Sequence, residues 1–278
     1  MTSSGDYVLG HSAQELARLN AQARLIDPIT RRFLLEAGVG SGMRVLDVGS
    51  GAGDVALLAA DLVGTSGEVV GVDRSPEALS TATARAAAAS RAAAASRGNI
   101  SFLAGDPAQM VFERPFDAVV GRYVLQFQAD PSAMLAKLAG QVRPGGLVVF
   151  HELDWGGAHS FPPAPIFDDC RTWMSETIRR SGAETHMGRK LHSTFIKAGL
   201  SAPTMRLEAL IGGGERASSP LQLMAALAPT LLPAAKRLRV DTGAAVDNET
   251  LLERMTQEVQ TNNSLIVGLY QIGAWSRA

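Results

Sequence analysis

The chain has 278 residues, 46% hydrophobic and 19% charged, with a formal net charge of −1 at pH 7. That length and balance suit one large α/β domain with an insertion, or two small domains, and exclude a disordered chain. A near-neutral chain lacks the electrostatic footprint of a polyanion binder, so no nucleic-acid partner is expected. Cys170 is the only cysteine, which rules out an intrachain disulfide and fits a cytoplasmic location. No apolar run reaches membrane-spanning length, and the N-terminus MTSSGDYVLG lacks a basic-then-apolar signal. No membrane association is therefore expected.

Residues 12–37 predict helix, with Leu16, Leu19, Ala23, Ile26, Phe33 and Leu34 at helical spacing. Pro28 is expected to break or kink this run into two helices. The segment from Tyr7 to Gln22 has no strand to join and is expected to fold over a ligand. Tyr7, His11 and Gln22 are its polar candidates, although a lone Tyr or His also serves as ordinary surface or core packing. Residues 44–60, RVLDVGSGAGDVALLAA, then run from a hydrophobic strand through Asp47-Val48-Gly49-Ser50-Gly51-Ala52-Gly53 into an apolar helix. A turn this glycine-rich lets a ligand press against the backbone. The N–H groups and positive dipole end of the following helix suit an anionic or polar ligand group. A nucleotide-like cofactor is expected there. A dinucleotide fingerprint, G-x-G-x-x-G, would need a glycine at 54, where Asp54 stands.

The pattern present, D-x-G-x-G-x-G, resembles that of the class I S-adenosylmethionine-dependent methyltransferases of the small-molecule, UbiE-like (type 11) kind. Further landmarks follow in that family's order. Twenty residues beyond Gly53, the strand EVVGVD ends in Asp73, placed to accept hydrogen bonds from both ribose hydroxyls. Residues 85–90 and 91–96 are identical RAAAAS copies; alanine and arginine are good helix formers, so the pair is expected to extend the second sheet helix as a neutral surface duplication. Asp106 closes a third strand, ISFLAGD; FDAVVGRYVLQF (116–127) resembles the fourth strand and its exit, and RPGGLVVFHELD (143–154) the fifth.

Strand and helix alternate from Val45 to Glu152, as a doubly wound sheet requires. The resemblance implies an α/β fold with a seven-stranded Rossmann-like sheet and one antiparallel member in the last pair. It places the sixth strand near 204–211 and the seventh near 264–275. Helices near 219–239 and 248–261 form a lid inserted before the last strand, with a second lid element near 164–181. The implied layout is a helical segment over 1–40, a cofactor domain over 41–213 and 263–278, and a lid over 214–262.

The resemblance also assigns roles. Gly49, Gly51 and Gly53 line the methionine part of S-adenosylmethionine, with Ser50 and Asp54 hydrogen-bonding nearby. Asp47 either reaches the cofactor ammonium or ties the glycine turn to neighbouring backbone. Asp73 binds ribose, Arg74 flanks the adenine edge, and Asp106 holds the adenine amino group. The family uses a backbone N–H after this last Asp, but Pro107 has none; Ala108 or water must replace it, while the Pro107 ring can still pack on the base. Gly121 and Arg122 follow the fourth strand, where the family's backbone carbonyls face the cofactor ammonium, and Arg122 pairs with a carboxylate of cofactor or substrate, or with an acid of the lid. GRYVLQF lacks the Asn/Asp-Pro-Pro-aromatic motif of nucleic-acid amino-methylating enzymes.

His151 is the candidate base, because it ends the fifth strand at the carboxyl edge and an ordinary imidazole titrates near neutrality. Glu152 and Asp154 lie beside it, but alternation sends 151 and 152 to opposite faces. His151, Asp154, His186 and His192 lack any metal-ligand spacing, so no metal is expected. Tyr123, Trp155 and Trp173, with His11, are the substrate-binding candidates; Trp155, Trp173, Phe161, Phe167 and Met224 form an apolar substrate wall or pack lid helices together. The implied activity is methylation of a small-molecule acceptor, at oxygen or nitrogen first and carbon next, releasing S-adenosylhomocysteine. Two alternatives are a cofactor-binding fold that catalyses cyclisation or rearrangement, and a non-catalytic cofactor sensor. A monomer or homodimer is expected.

Overall fold

Strands that read as unbroken apolar runs need cover on both faces, and Val45–Val48, Val69–Val72 and Ala118–Gly121 are buried throughout. The computed structural model describes residues 13–92, 99–243 and 250–278. In chain order it contains α1 (Ala13–Ala37), β1 (Arg44–Val48), α2 (Asp54–Val63), β2 (Glu68–Asp73), α3 (Pro76–Ala92), β3 (Asn99–Ala104), β4 (Phe116–Arg122), α4 (Pro131–Ala139) and β5 (Val142–Asp154). There follow β6 (His159–Phe161), α5 (Pro165–Arg180), α6 (Met187–Lys197), β7 (Thr204–Glu208), β8 (Ile211–Gly213), α7 (Ser218–Arg237), α8 (Leu251–Thr261), β9 (Leu265–Val267) and β10 (Tyr270–Arg277).

Seven strands form one sheet in the order β3-β2-β1-β4-β5-β10-β7. The first five pair in parallel. Ala278, just past β10, exchanges backbone hydrogen bonds with Gly145 and Gly146 near the start of β5 (2.9 and 3.0 Å), so β10 runs antiparallel to it. The chain winds outward through β2 and β3, then restarts beside β1 with β4. That reversal is the switch point at which ligands of open α/β sheets bind. The register Val48↔Gly121 brings the carboxyl ends of β1 and β4 side by side there.

The chain divides into two compact units. One comprises Ile26–Glu152, Gly188–Arg206 and Ile272–Ala278 and carries the large sheet. Its core includes Leu34, Val45, Val55, Ala59, Val69, Val120, Leu147 and Val149. The other comprises, among the described residues, those up to Leu25, Leu153–Met187 and Leu207–Gln271. There Phe167, Trp173, Leu221, Leu231, Met255 and Ile266 form the core, beside a three-stranded antiparallel sheet, β6-β9-β8.

Several details differ from the sequence expectations. Pro28 does not divide the N-terminal helix, which runs unbroken from Ala13 to Ala37. The lost hydrogen bond and ring clash cost about 3 kcal/mol, and burial of Ile26, Ile29, Phe33 and Leu34 around the proline offsets this. The last strand expected near 264–275 is two strands, β9 and β10, which belong to different sheets. The region 204–211 likewise divides between β7 and β8. The first RAAAAS copy is helical and α3 continues to Ala92; Arg91 to Ala92 are the only residues of the second copy among those described.

Candidate cofactor site

After β1 the backbone turns through Gly49, Gly51 and Gly53, all with positive φ (65°, 51° and 86°). Ser50 N–H donates to Val72 O (3.0 Å), Gly51 N–H to Asp73 Oδ2 (2.8 Å) and Gly53 N–H to Ser50 O (2.8 Å). A Cβ on Gly53 would stand 3.1 Å from Ala82 Cβ and 3.2 Å from Phe102 Cζ, so α3 and β3 press on the loop from behind. At Gly51 a Cβ would meet nothing within 4 Å. The open side of the loop is there.

Asp73 stands at this opening, and a second acid, Asp47, is buried in the strand that leads into the loop. Asp73 accepts Gly51 N–H on one oxygen and Ser75 N–H on the other (2.9 Å). Two backbone donors thus aim the carboxylate, and each oxygen keeps a lone pair for a ligand hydroxyl. Asp47 is 1% exposed, and neither of its oxygens has a hydrogen-bond partner of ordinary geometry among the described residues. Burial pushes its pKa up to about 8, against the pull of nearby Arg122 and with Asp73 and Asp54 adding to the rise. At pH 7 this carboxyl is mostly neutral.

Arg122, at the end of β4, has a side chain only 7% exposed. Nη1 donates to Asp27 Oδ1 (2.7 Å) and Thr30 Oγ1 (3.1 Å), and Nη2 lies 3.4 Å from Asp54 Oδ2. Arg85 of α3 completes the network, donating to Asp54 Oδ1 (2.6 Å) and to Ala52 O (2.5 Å). Burial pulls the Arg122 pKa down, but Tyr123, Asp27 and Asp54 outweigh it and leave the guanidinium above its usual value. Among the described residues the acids that Arg122 meets lie on α1 and α2, not in the lid segments where the expected structural partner was placed.

Beyond Arg122 the chain turns through Tyr123, a non-glycine residue at φ 60°. Its N–H donates to His151 O (2.9 Å), and Glu152 Oε1 accepts the next two N–H groups, of Val124 (2.9 Å) and Leu125 (2.7 Å). Burial pushes the Glu152 pKa up to about 8 despite these donors.

This geometry sits inside a recognisable sequence signature. Residues 40–199 match the model of a family described as a methyltransferase domain. The chain belongs to that family. A demethylmenaquinone methyltransferase of Staphylococcus aureus (strain MRSA252) is 31% identical over 138 residues, 49% of this chain and 52% of that protein. The chain thus spans about half the length of that curated relative. Among solved structures, phosphoethanolamine N-methyltransferase 2 of Haemonchus contortus is similar with a TM-score of 0.58 at 17% identity, over 99% of this chain and 60% of the other. The [4+2]-cyclase SpnF has a TM-score of 0.51 at 18% identity, over 89% of this chain and 80% of the other. At such identities these structures share the fold.

S-adenosylmethionine is the cofactor of the methyltransferase family, and residues at the switch point fit it. The loop is bare at Gly51, each Asp73 oxygen keeps a lone pair beside it, and Asp47 is a buried acid whose oxygens have no hydrogen-bond partner of ordinary geometry among the described residues. Ser50 Oγ is likewise buried and without a partner among the described residues. Asp106 is already engaged: Oδ1 accepts Ala108 N–H (3.0 Å), and Oδ2 accepts from Arg74 (2.6 Å) and Gln109 (2.9 Å). The donor that would replace the missing Pro107 N–H is thus used locally, and the lone pair that Asp106 keeps for an adenine amino group is on Oδ1, since Oδ2 already accepts two donors. Pro107 itself is buried. Gly121 has a packing reason to be glycine, since a Cβ there would lie 2.6 Å from the Phe150 ring.

His151 is 2% exposed. Its Nδ1 lies 3.1 Å from Thr30 Oγ1, and the rings of Phe33 and Tyr123 stand edge-on to it at 4.9 and 5.2 Å. That is the setting of a packed side chain. Trp155, Phe167, Trp173 and Met224 belong to the buried core of the other unit, whereas Phe161 is 73% exposed. Tyr7 and His11 lie outside the described residues, as does the side chain of Gln22. The sequence brought Asp154 and His186 together only as members of a metal set. They meet as a pair, Asp154 Oδ1 accepting Gly156 N–H (2.9 Å) and lying 3.2 Å from His186 Nδ1.

Proposed function

We propose that the chain transfers the methyl group of S-adenosylmethionine to a small-molecule acceptor and releases S-adenosylhomocysteine. The observation that carries this is the open glycine loop at the switch point, with an aimed Asp73 beside it and the buried acid Asp47 in the strand that leads into it, within the family-matched region. The name of the staphylococcal relative, a demethylmenaquinone methyltransferase, points to a small organic acceptor. Oxygen or nitrogen is the preferred acceptor atom, because each carries the lone pair that a displacement at a methyl carbon needs; carbon is the next choice.

When bound, the cofactor supplies an electrophilic sulfonium methyl. The protein's part is positioning, which can lower a barrier by about 7–11 kcal/mol in favourable cases. Gly51 admits the ligand to the backbone, Asp73 accepts the ribose hydroxyls, and Asp47 offers a carboxyl to the ammonium, giving up its proton beside a cation. His151, packed against Phe33 and Tyr123, is the candidate base for an acceptor whose proton must leave, and an acceptor that sheds its proton to water needs none.

Methyl-labelled cofactor incubated with quinol, phenol and amine acceptors tests the reaction. Label is expected in the organic product. Product without label would instead establish rearrangement or cyclisation on this fold, the chemistry named for SpnF. Binding without turnover on any acceptor would establish a sensor. Asp73→Ala is expected to weaken S-adenosylhomocysteine binding about 10- to 100-fold in calorimetry, since hydrogen bonds to a charged group contribute about 1.5–3 kcal/mol. Equal affinity would remove Asp73 from the ribose site.

A further inference from the structure

Three successive backbone donors, the N–H groups of Tyr123, Val124 and Leu125, are held by two successive residues of β5. His151 takes the first with its carbonyl, and Glu152 takes the other two with one carboxyl oxygen. Glu152 is fully buried, and its second oxygen, Oε2, has no partner among the described residues. The turn so held starts at a left-handed Tyr123, a conformation that an ordinary residue adopts only under such restraint. It also sets the position of Val124. A Cβ on Gly49 would lie 2.8 Å from Val124 Cγ2, so the turn is seated directly on the glycine loop.

We propose that Glu152 is a positioning residue for cofactor binding: by holding the Val124 and Leu125 N–H groups it fixes the turn that seats Val124 against Gly49. This rests on the cofactor reading of the glycine loop. Alternation along β5 points Glu152 away from the face that His151 occupies, so the residue acts through the turn. Burial keeps its carboxyl neutral at pH 7, so what the turn uses is an acceptor oxygen. A glutamine amide supplies the same oxygen and fills the same space; alanine supplies neither and leaves two N–H groups unpaired.

The test measures S-adenosylhomocysteine affinity by calorimetry together with hydrogen exchange at the Val124 and Leu125 amides. Glu152→Gln is expected to bind within about threefold of wild type, with slow exchange retained. Glu152→Ala is expected to bind at least about tenfold more weakly, with faster exchange at both amides. Val124→Ala, which keeps both hydrogen bonds, is expected to weaken binding also, and adding it to Glu152→Ala should cost little more than either alone. A folded Glu152→Ala variant that binds like wild type overturns the proposal, as does a Glu152→Gln variant as weak as a folded Glu152→Ala. Should Glu152→Ala fail to fold, Glu152→Gln and Val124→Ala decide: weak binding by the first or unchanged binding by the second is the overturning result. A wild type that ignores S-adenosylhomocysteine sinks the cofactor reading itself, an outcome distinct from a loss confined to the variants.

Discussion

An Asp47→Asn variant is expected to gain stability over the wild type as the pH rises from 5 to 9. Burial holds the Asp47 carboxyl near a pKa of about 8 in the folded, cofactor-free protein, whereas an unfolded chain titrates it near 4. Below pH 4 the group is neutral in both states and contributes nothing to the pH dependence. Between about pH 4 and 8 the unfolded chain releases a proton that the folded chain keeps. Wild-type stability therefore falls with rising pH, by about 1.4 kcal/mol per unit for each such group. Above 8 both states are ionised and the fall ends. Glu152 has the same sign and the same range, so the wild type carries two contributions to this slope. Asparagine cannot ionise, so Asp47→Asn should remove one of the two, leaving a shallower decline. Urea unfolding at pH 5, 7 and 9 measures it, and parallel wild-type and variant curves would mean that Asp47 is ionised in the folded state.

The same buried acid shows how far the sequence could be read. Asp47 is visible as the first residue of D-x-G-x-G-x-G, and the parallel strands are visible as apolar runs, because both features are local. The switch point follows once those strands are ordered. The short strands β6 and β8 were not legible, since three residues carry no period, and His-Ser-Phe and Ile-Gly-Gly form strands only because β9 lies between them. Pro28 misled for the opposite reason: its local signal is strong, yet packing around it prevails. The site's supports were the least legible. Asp27 and Arg122 are 95 positions apart, and Glu152 reaches a turn 27 and 28 positions earlier. Nothing in the spacing of an Asp, an Arg or a Glu announces such a partner. The left-handed Tyr123 is hidden for the same reason, because tyrosine does not advertise the conformation that a glycine would.

Replacing Arg122 tests that network as a unit. Arg122→Ala is expected to cost about 3–5 kcal/mol, the usual effect of removing one partner from a buried ion pair. Asp54 keeps Arg85 at 2.6 Å, but Asp27 loses the residue that accounts for most of the lowering of its pKa. Asp27, whose pKa burial already raises above its ordinary value, then rises further. Asp47 loses the cationic pull of Arg122 too. Both carboxyls consequently resist ionisation more strongly, so the variant should lose more stability at pH 8 than at pH 5. Partial exposure of Asp27 trims the loss, because solvent stabilises a charge that the guanidinium no longer does. An Arg122→Met, Asp27→Leu double variant removes the stranded charge along with its partner, and it should recover most of the deficit. Denaturant unfolding of the three proteins at both pH values distinguishes the cases. A single-variant loss below about 1 kcal/mol would mean that the guanidinium is no more than a surface pair. A double variant as weak as the single one would place the damage in lost packing around α1 and leave the charges out of it.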